Sequence, residues 1–165
     1  MYKASADIVL PTTIIGSLPR PAWYTANLGN RSFLEAMVNS RFREQYTDAL
    51  SVYLRDQETA GLDICTDGDC RFDEEVGGQS WTSYPPKHMA GFNDDAVALP
   101  GSGGGTAFPR GHILHDYVEA KIFPSIVGPV GRGKLQYVEL WKAAQRLTKK
   151  PVKFGTITPE LLAFA

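Results

Sequence analysis

With 165 residues, 43% of them hydrophobic and 21% charged, the chain has the length and composition of one soluble domain with its own core, and a second domain is not expected. Seventeen basic residues against eighteen acidic ones leave a formal charge of -1, which provides no electrostatic reason to expect nucleic acid or an anionic membrane as a partner. No apolar run approaches the roughly 18 residues of a transmembrane helix, and the opening "MYKASADIVLPTT" has one lysine and too short an apolar stretch for a signal peptide, so the default location is the cytoplasm.

In chain order, residues 8–16 read as a short strand carrying the β-branched Thr12, Thr13, Ile14 and Ile15. The prolines of "SLPRPAW" then exclude helix and require an irregular loop. A long amphipathic helix follows. Ser32 and Glu35 form a capping-box pattern at its start, and Phe33, Met37, Phe42, Tyr46, Ala49, Leu50 and Tyr53 recur along one apolar face. Arg41, Glu44, Asp48 and Arg55 occupy the rest of its surface, and Gly61 is placed to end it in a left-handed conformation. "LDICT" is the next strand, so strand, helix and strand stand in the order that demands a parallel pair.

The stretch 72–111 is rich in glycine and proline towards its end and reads as a long loop or an insertion. The run "HILHDYVEAKIFPSIVGPVG" contains extended segments. A second helix is predicted over 134–148 from Leu135, Val138, Trp141, Ala144 and Leu147, and "VKFGTIT" after Pro151 is a third strand. "GSGGGT" lacks the lysine and the strand-to-helix frame of a phosphate-binding loop. His88, His112 and His115 gather no other ligand types and read as surface or packing residues. Cys65 falls in an apolar run and reads as core, Cys70 in an exposed loop, and their spacing suits neither a metal site nor a disulfide framework.

In parallel α/β folds functional groups collect where strands end. Gly16 and Ser17 follow the first predicted strand, and a glycine that admits close approach beside a serine hydroxyl suits a carboxylate. Asp67, Gly68 and Asp69 follow the second, with Arg71 and Asp73 close behind, and an aspartate there suits an ammonium. Together the two loops would make an amino-acid site. An acidic turn, a helix cap or a surface ion pair explains the same residues equally well, and residue types alone leave both readings open.

Taken together, "TTIIGSLPRP", "AGLDICTDGDCR" and "KPVKFGTITPELLA" resemble, in order, the catalytic barrel of the cobalamin-independent methionine synthase family. The resemblance implies an α/β fold forming the first part of a (β/α)8 TIM barrel, about three β/α units within residues 1–165, with the loop-rich insertion at about 72–111. It implies methyl transfer from a folate-type donor to the thiol of homocysteine, with zinc holding the sulfur as thiolate. By position it assigns Ile15, Gly16 and Ser17 to the substrate carboxylate and Asp69 to its amine, and it leaves Asp67 structural. The family's zinc ligands belong to the later part of the barrel, and Cys65 and Cys70 do not match them. Glu119 and Ala120 stand where the family has an arginine–cysteine pair that contacts the folate, and only Phe164 approximates its aromatic pterin platform. A thiol alkyltransferase acting on coenzyme M and a truncated, catalytically incomplete binding domain are the alternatives. An unclosed barrel would expose strand edges and associate with another copy.

Overall fold

A computed structural model of the chain describes residues 5, 7–19, 23–24, 38–70, 80–98 and 122–164. The capping box at Ser32, Arg71, Asp73, "GSGGGT", His112, His115, Glu119 and Ala120 lie outside the described residues. What is described is a mixed α/β structure in two compact units, Met1–Tyr84 with Gln136–Ile157, and Pro85–Leu135 with Thr158–Ala165.

The first unit is built on helix α1, Ser40–Thr59. Its N-cap is Asn39, whose side chain accepts from the backbone N–H groups of Arg41 and Phe42, satisfying donors that no helical carbonyl can reach. Phe42, Tyr46, Ala49, Leu50, Tyr53, Leu54 and Gln57 form its buried face. The expected apolar stripe thus holds from Phe42 to Tyr53, and each large side chain in it contributes about 1.5–3 kcal/mol by leaving water. The expected stop holds too. Gly61, at φ +81°, follows the last turn, with Gly61 N–H donating to Glu58 and Leu62 N–H to Gln57, both at 3.1 Å. These two bonds form a Schellman motif, which favours glycine at the left-handed position.

After the turn comes β1, Cys65–Thr66, which pairs in parallel with β4, Val152–Lys153, in the register Cys65↔Val152 and Thr66↔Lys153. The expected parallel partner of β1 was residues 8–16, and this is corrected: that segment forms no strand ladder. Two sets of side-chain interactions replace it. The Asp63 carboxylate accepts both the backbone N–H and the hydroxyl of Thr12 at 2.8 Å, while Asp63 and Ile64 N–H groups donate to the Thr12 carbonyl. At Thr66, the Gln57 side chain occupies both backbone groups, accepting from the N–H at 2.8 Å and donating to the carbonyl at 2.9 Å. A strand edge satisfied by a side-chain amide has no groups left there for a ladder.

Helix α3, Tyr137–Gln145, falls inside the predicted 134–148 and buries Leu140 and Ala144. Val138, expected on the buried face, is 58% exposed. A three-residue spacing drifts around a 3.6-residue helix, so the true face is the i, i+4 pair. The helix is tied to β4 by the Trp141 indole N–H, which donates to the Val152 carbonyl at 2.8 Å, and by Gln145, which accepts from Val152 N–H at 3.0 Å.

Helix α2, Ser80–His88, contains Pro85 and Pro86 and carries the chain out of the first unit. In the second unit β2, Ala90–Ala98, pairs antiparallel with β3, Ile122–Gly131, through irregular register shifts on either side of Phe92. Gly91 adopts φ +88°, and a Cβ there would meet the Pro129 carbonyl oxygen at 2.5 Å, so glycine is required for the strands to close. The helix α4, Pro159–Phe164, completes the described elements. Within the stretch 72–111, expected as a long loop or an insertion, Ser80–His88 and Ala90–Ala98 are regular, forming α2 and β2. Pro85 and Pro86 hid α2 from a sequence reading, because proline is not expected inside a helix.

Candidate functional site

The site is assembled from three chain segments in the first unit. Ile15–Ser17 lead away from the segment anchored at Thr12, Asp67–Asp69 follow β1, and Gly155–Thr156 follow β4. They enclose a cavity of about 290 Å³ lined by Ile15, Ser17, Asp69, Gly155 and Thr156.

Its central contact is between the two loops singled out in the sequence. The Asp69 carboxylate Oδ2 accepts the backbone N–H of Ser17 at 2.7 Å. Both residues are in the left-handed region, Ser17 at φ +51° and Asp69 at φ +53°, and Gly68 between the aspartates is at φ +68°. Such conformations in non-glycine residues persist where the surroundings enforce them, and they concentrate at ligand sites. Gly16 lies so close that a Cβ would stand 2.5 Å from Asp69 Oδ2. The loops are locked further by Leu18 N–H, which donates to the Gly68 carbonyl at 3.1 Å.

The support beneath Asp69 is layered. Asp67 is fully buried and its Oδ1 accepts the Asp69 N–H at 3.1 Å, while the Thr66 hydroxyl accepts the Gly68 N–H at 3.1 Å. Gln57 fixes Thr66 from α1, and the Tyr53 hydroxyl donates to the Pro19 carbonyl at 2.7 Å. Asp69 is itself 3% exposed. A buried carboxylate on a turn braced from below is oriented before any ligand arrives.

Of the four residues expected to bind substrate, Ser17 and Asp69 touch, Gly16 gives them room, and Ile15 lines the cavity with a side chain 92% exposed. The pattern missed Gly155 and Thr156, because the strand ends at Lys153 whereas the prediction ran it through Thr158. A glycine after a β-rich run was the available signal, the same one that marked Gly16. Gln57 was missed because a polar residue on the buried face of a helix has no periodic signature.

Cys70, expected in an exposed loop, is buried, as are Cys65 and His88. Burial pushes the Cys65 thiol above its usual range, the Glu58 carboxylate adds to the shift, and Lys150 opposes it. Among the described residues no three His, Cys, Asp or Glu side chains gather as a metal-binding group. A larger hollow of about 410 Å³, lined by Ile14, Leu18, Tyr53, Gln57 and Leu62 among others, is more open and holds no buried acid. The smaller cavity is therefore the better candidate.

No family model matches the chain. A methionine synthase of Sulfolobus acidocaldarius is 42% identical over 69 residues, which are 41% of this chain and 20% of that protein. The methionine synthase of Sulfurisphaera tokodaii is 41% identical over 85 residues, 51% of this chain and 23% of its own length. The chain is similar to methionine synthases. It is also 29% identical to the 2-hydroxypropyl-CoM lyase of Xanthobacter autotrophicus over 158 residues, 93% of this chain and 36% of the lyase. A B12-independent methionine synthase from Shewanella sp. W3-18-1, solved in complex with selenomethionine, shares the fold with a TM-score of 0.63 at 23% identity, across 94% of this chain and 40% of that one. The chain thus spans between a fifth and two fifths of the proteins it resembles.

Proposed function

We propose that the chain is the substrate-binding part of a zinc-dependent thiol methyltransferase of the methionine synthase type, contributing the first part of a (β/α)8 barrel and accepting homocysteine. The observation that carries this is the buried Asp69 carboxylate, set against Ser17 at the wall of a cavity large enough for a small amino acid. In this reading Asp69 pairs with the substrate ammonium by a charge-assisted hydrogen bond, and Ile15, Gly16 and Ser17 position the substrate carboxylate beside it. Similarity to methionine synthases over part of the chain supports the assignment. The acceptor's own sulfur is the nucleophile, and a folate-type donor supplies the methyl group. Among the described residues Cys65 and Cys70 gather no further His, Cys, Asp or Glu into a zinc ligand set, and zinc belongs to the reading as a group whose ligands lie outside the described residues.

The similarity to 2-hydroxypropyl-CoM lyase, which runs along nearly the whole chain, favours a second reading in which the thiol is coenzyme M or another acceptor without an amine. Asp69→Asn separates the two. By calorimetry on the purified chain, the substitution should weaken L-homocysteine by about 1.5–3 kcal/mol, the size of a hydrogen bond to a charged group. It should leave 2-mercaptoethanesulfonate nearly unchanged. Tighter binding of the sulfonate than of homocysteine by the unaltered chain would replace the first reading with the second.

A further inference from the structure

An amino-acid ligand needs a donor for its carboxylate as well as an acceptor for its ammonium. The backbone N–H of Ser17 is already given to Asp69 at 2.7 Å. Across the same cavity the wall is Gly155 and Thr156. Gly155 has no side chain, and a Cβ there would stand 3.4 Å from Asp69 Oδ1, so its bareness keeps the space beside the carboxylate open. Thr156 is then the first residue past β4 with a side chain that can donate into the cavity.

The Thr156 hydroxyl lies 2.5 Å from the Tyr137 hydroxyl. The Tyr137 ring is held edge-on to Phe154, with centroids 5.2 Å apart, and lies 5.8 Å from the ring of Tyr84. A phenol is a far stronger acid than an aliphatic alcohol, so the phenol is the natural donor in this pair. Thr156 then keeps its own proton for a ligand oxygen. The geometry points to Thr156 as a second donor to the ligand's carboxylate, beside the Ser17 loop, and to Tyr137 as the positioning residue that aims it, an inference that rests on the amino-acid reading of this site.

The test compares two thiols on the purified chain by calorimetry: L-homocysteine, and 3-aminopropane-1-thiol, which keeps the amine and lacks the carboxylate. Thr156 is exposed, so Thr156→Val removes the hydroxyl without opening the core. Thr156→Val should weaken homocysteine about tenfold or more, Tyr137→Phe about threefold, and Thr156→Ser should restore binding. None of the three should alter 3-aminopropane-1-thiol. Equal losses for both thiols, or an unchanged homocysteine affinity in Thr156→Val while Asp69→Asn weakens it, would overturn the role of Thr156 and leave the amino-acid reading standing. Binding of neither thiol by the unaltered chain would overturn both.

Discussion

Asp69 and Ser17 are 52 residues apart in the chain, and a carboxylate oxygen of one accepts the backbone N–H of the other at 2.7 Å. The bond joins two turns that both run through left-handed backbone. Asparagine keeps an acceptor oxygen and tolerates that conformation, whereas alanine does neither. Asp69→Asn should therefore unfold in urea within about 1 kcal/mol of the unaltered chain, and Asp69→Ala should lose about 2–3 kcal/mol. Equal losses in the two variants would show that the charge, and not the bond to Ser17, holds the loops together.

Gly16 tests the same contact from the other side. A Cβ at this position would overlap Asp69 Oδ2 at 2.5 Å, and φ +143° is a backbone conformation that other residues rarely adopt. Gly16→Ala should push the Asp69 carboxylate away and abolish thiol binding, with a stability loss of about 1–3 kcal/mol. Proton NMR would report it first, as a displaced Ser17 amide resonance.

Gln57 is predicted to matter more than its position on a helix suggests. Its amide occupies the N–H and the carbonyl of Thr66 and also donates to the Tyr53 carbonyl at 3.0 Å. Gln57→Leu keeps much of the volume and strands two buried backbone groups, so a loss of about 2–4 kcal/mol in urea melts is expected. If residues 8–16 instead moved in to pair with β1, the loss would be small and Thr66 would remain protected from hydrogen exchange.

The segment 8–19 should loosen in acid. The Asp63 carboxyl is held below its ordinary range by the Thr12 backbone N–H first and the Thr12 hydroxyl second, with Lys150 adding to the shift and desolvation opposing it. A carboxyl whose folded value lies below its unfolded one stabilises the fold fully above the unfolded value. That contribution fades as pH falls from there through the depressed folded value. Hydrogen exchange at the Thr12 amide should thus quicken as pH is lowered below about 4, beyond the intrinsic rate. In Asp63→Asn the extra acceleration should be missing.

How far the residues could be read depended on the range of the interaction. Helix α1 and its glycine stop were legible because capping, amphipathic spacing and the left-handed turn involve neighbours within one or two turns. The Asp67–Asp69 loop was legible as a strand end for the same reason, whereas the Gly16–Ser17 loop follows a segment that is not a strand. The parallel partner of β1 was misread. At the edge of β1 away from β4, Gln57 holds the backbone groups of Thr66 and Asp63 holds Thr12, contacts that no local pattern announces.

By itself, the sequence determined α1 with its glycine stop, the strand at Cys65–Thr66, the helix at Tyr137–Gln145, and which loops carry glycine, serine and aspartate, since each of these follows from backbone preferences over a few residues. Only the tertiary structure decided that the Asp69 carboxylate meets the Ser17 amide, that Gly155 and Thr156 share their cavity, and that Tyr137 reaches Thr156. Those contacts join residues tens of positions apart. They depend on where the ends of the parallel pair and the anchored segment come to lie, which no period or spacing along the chain encodes.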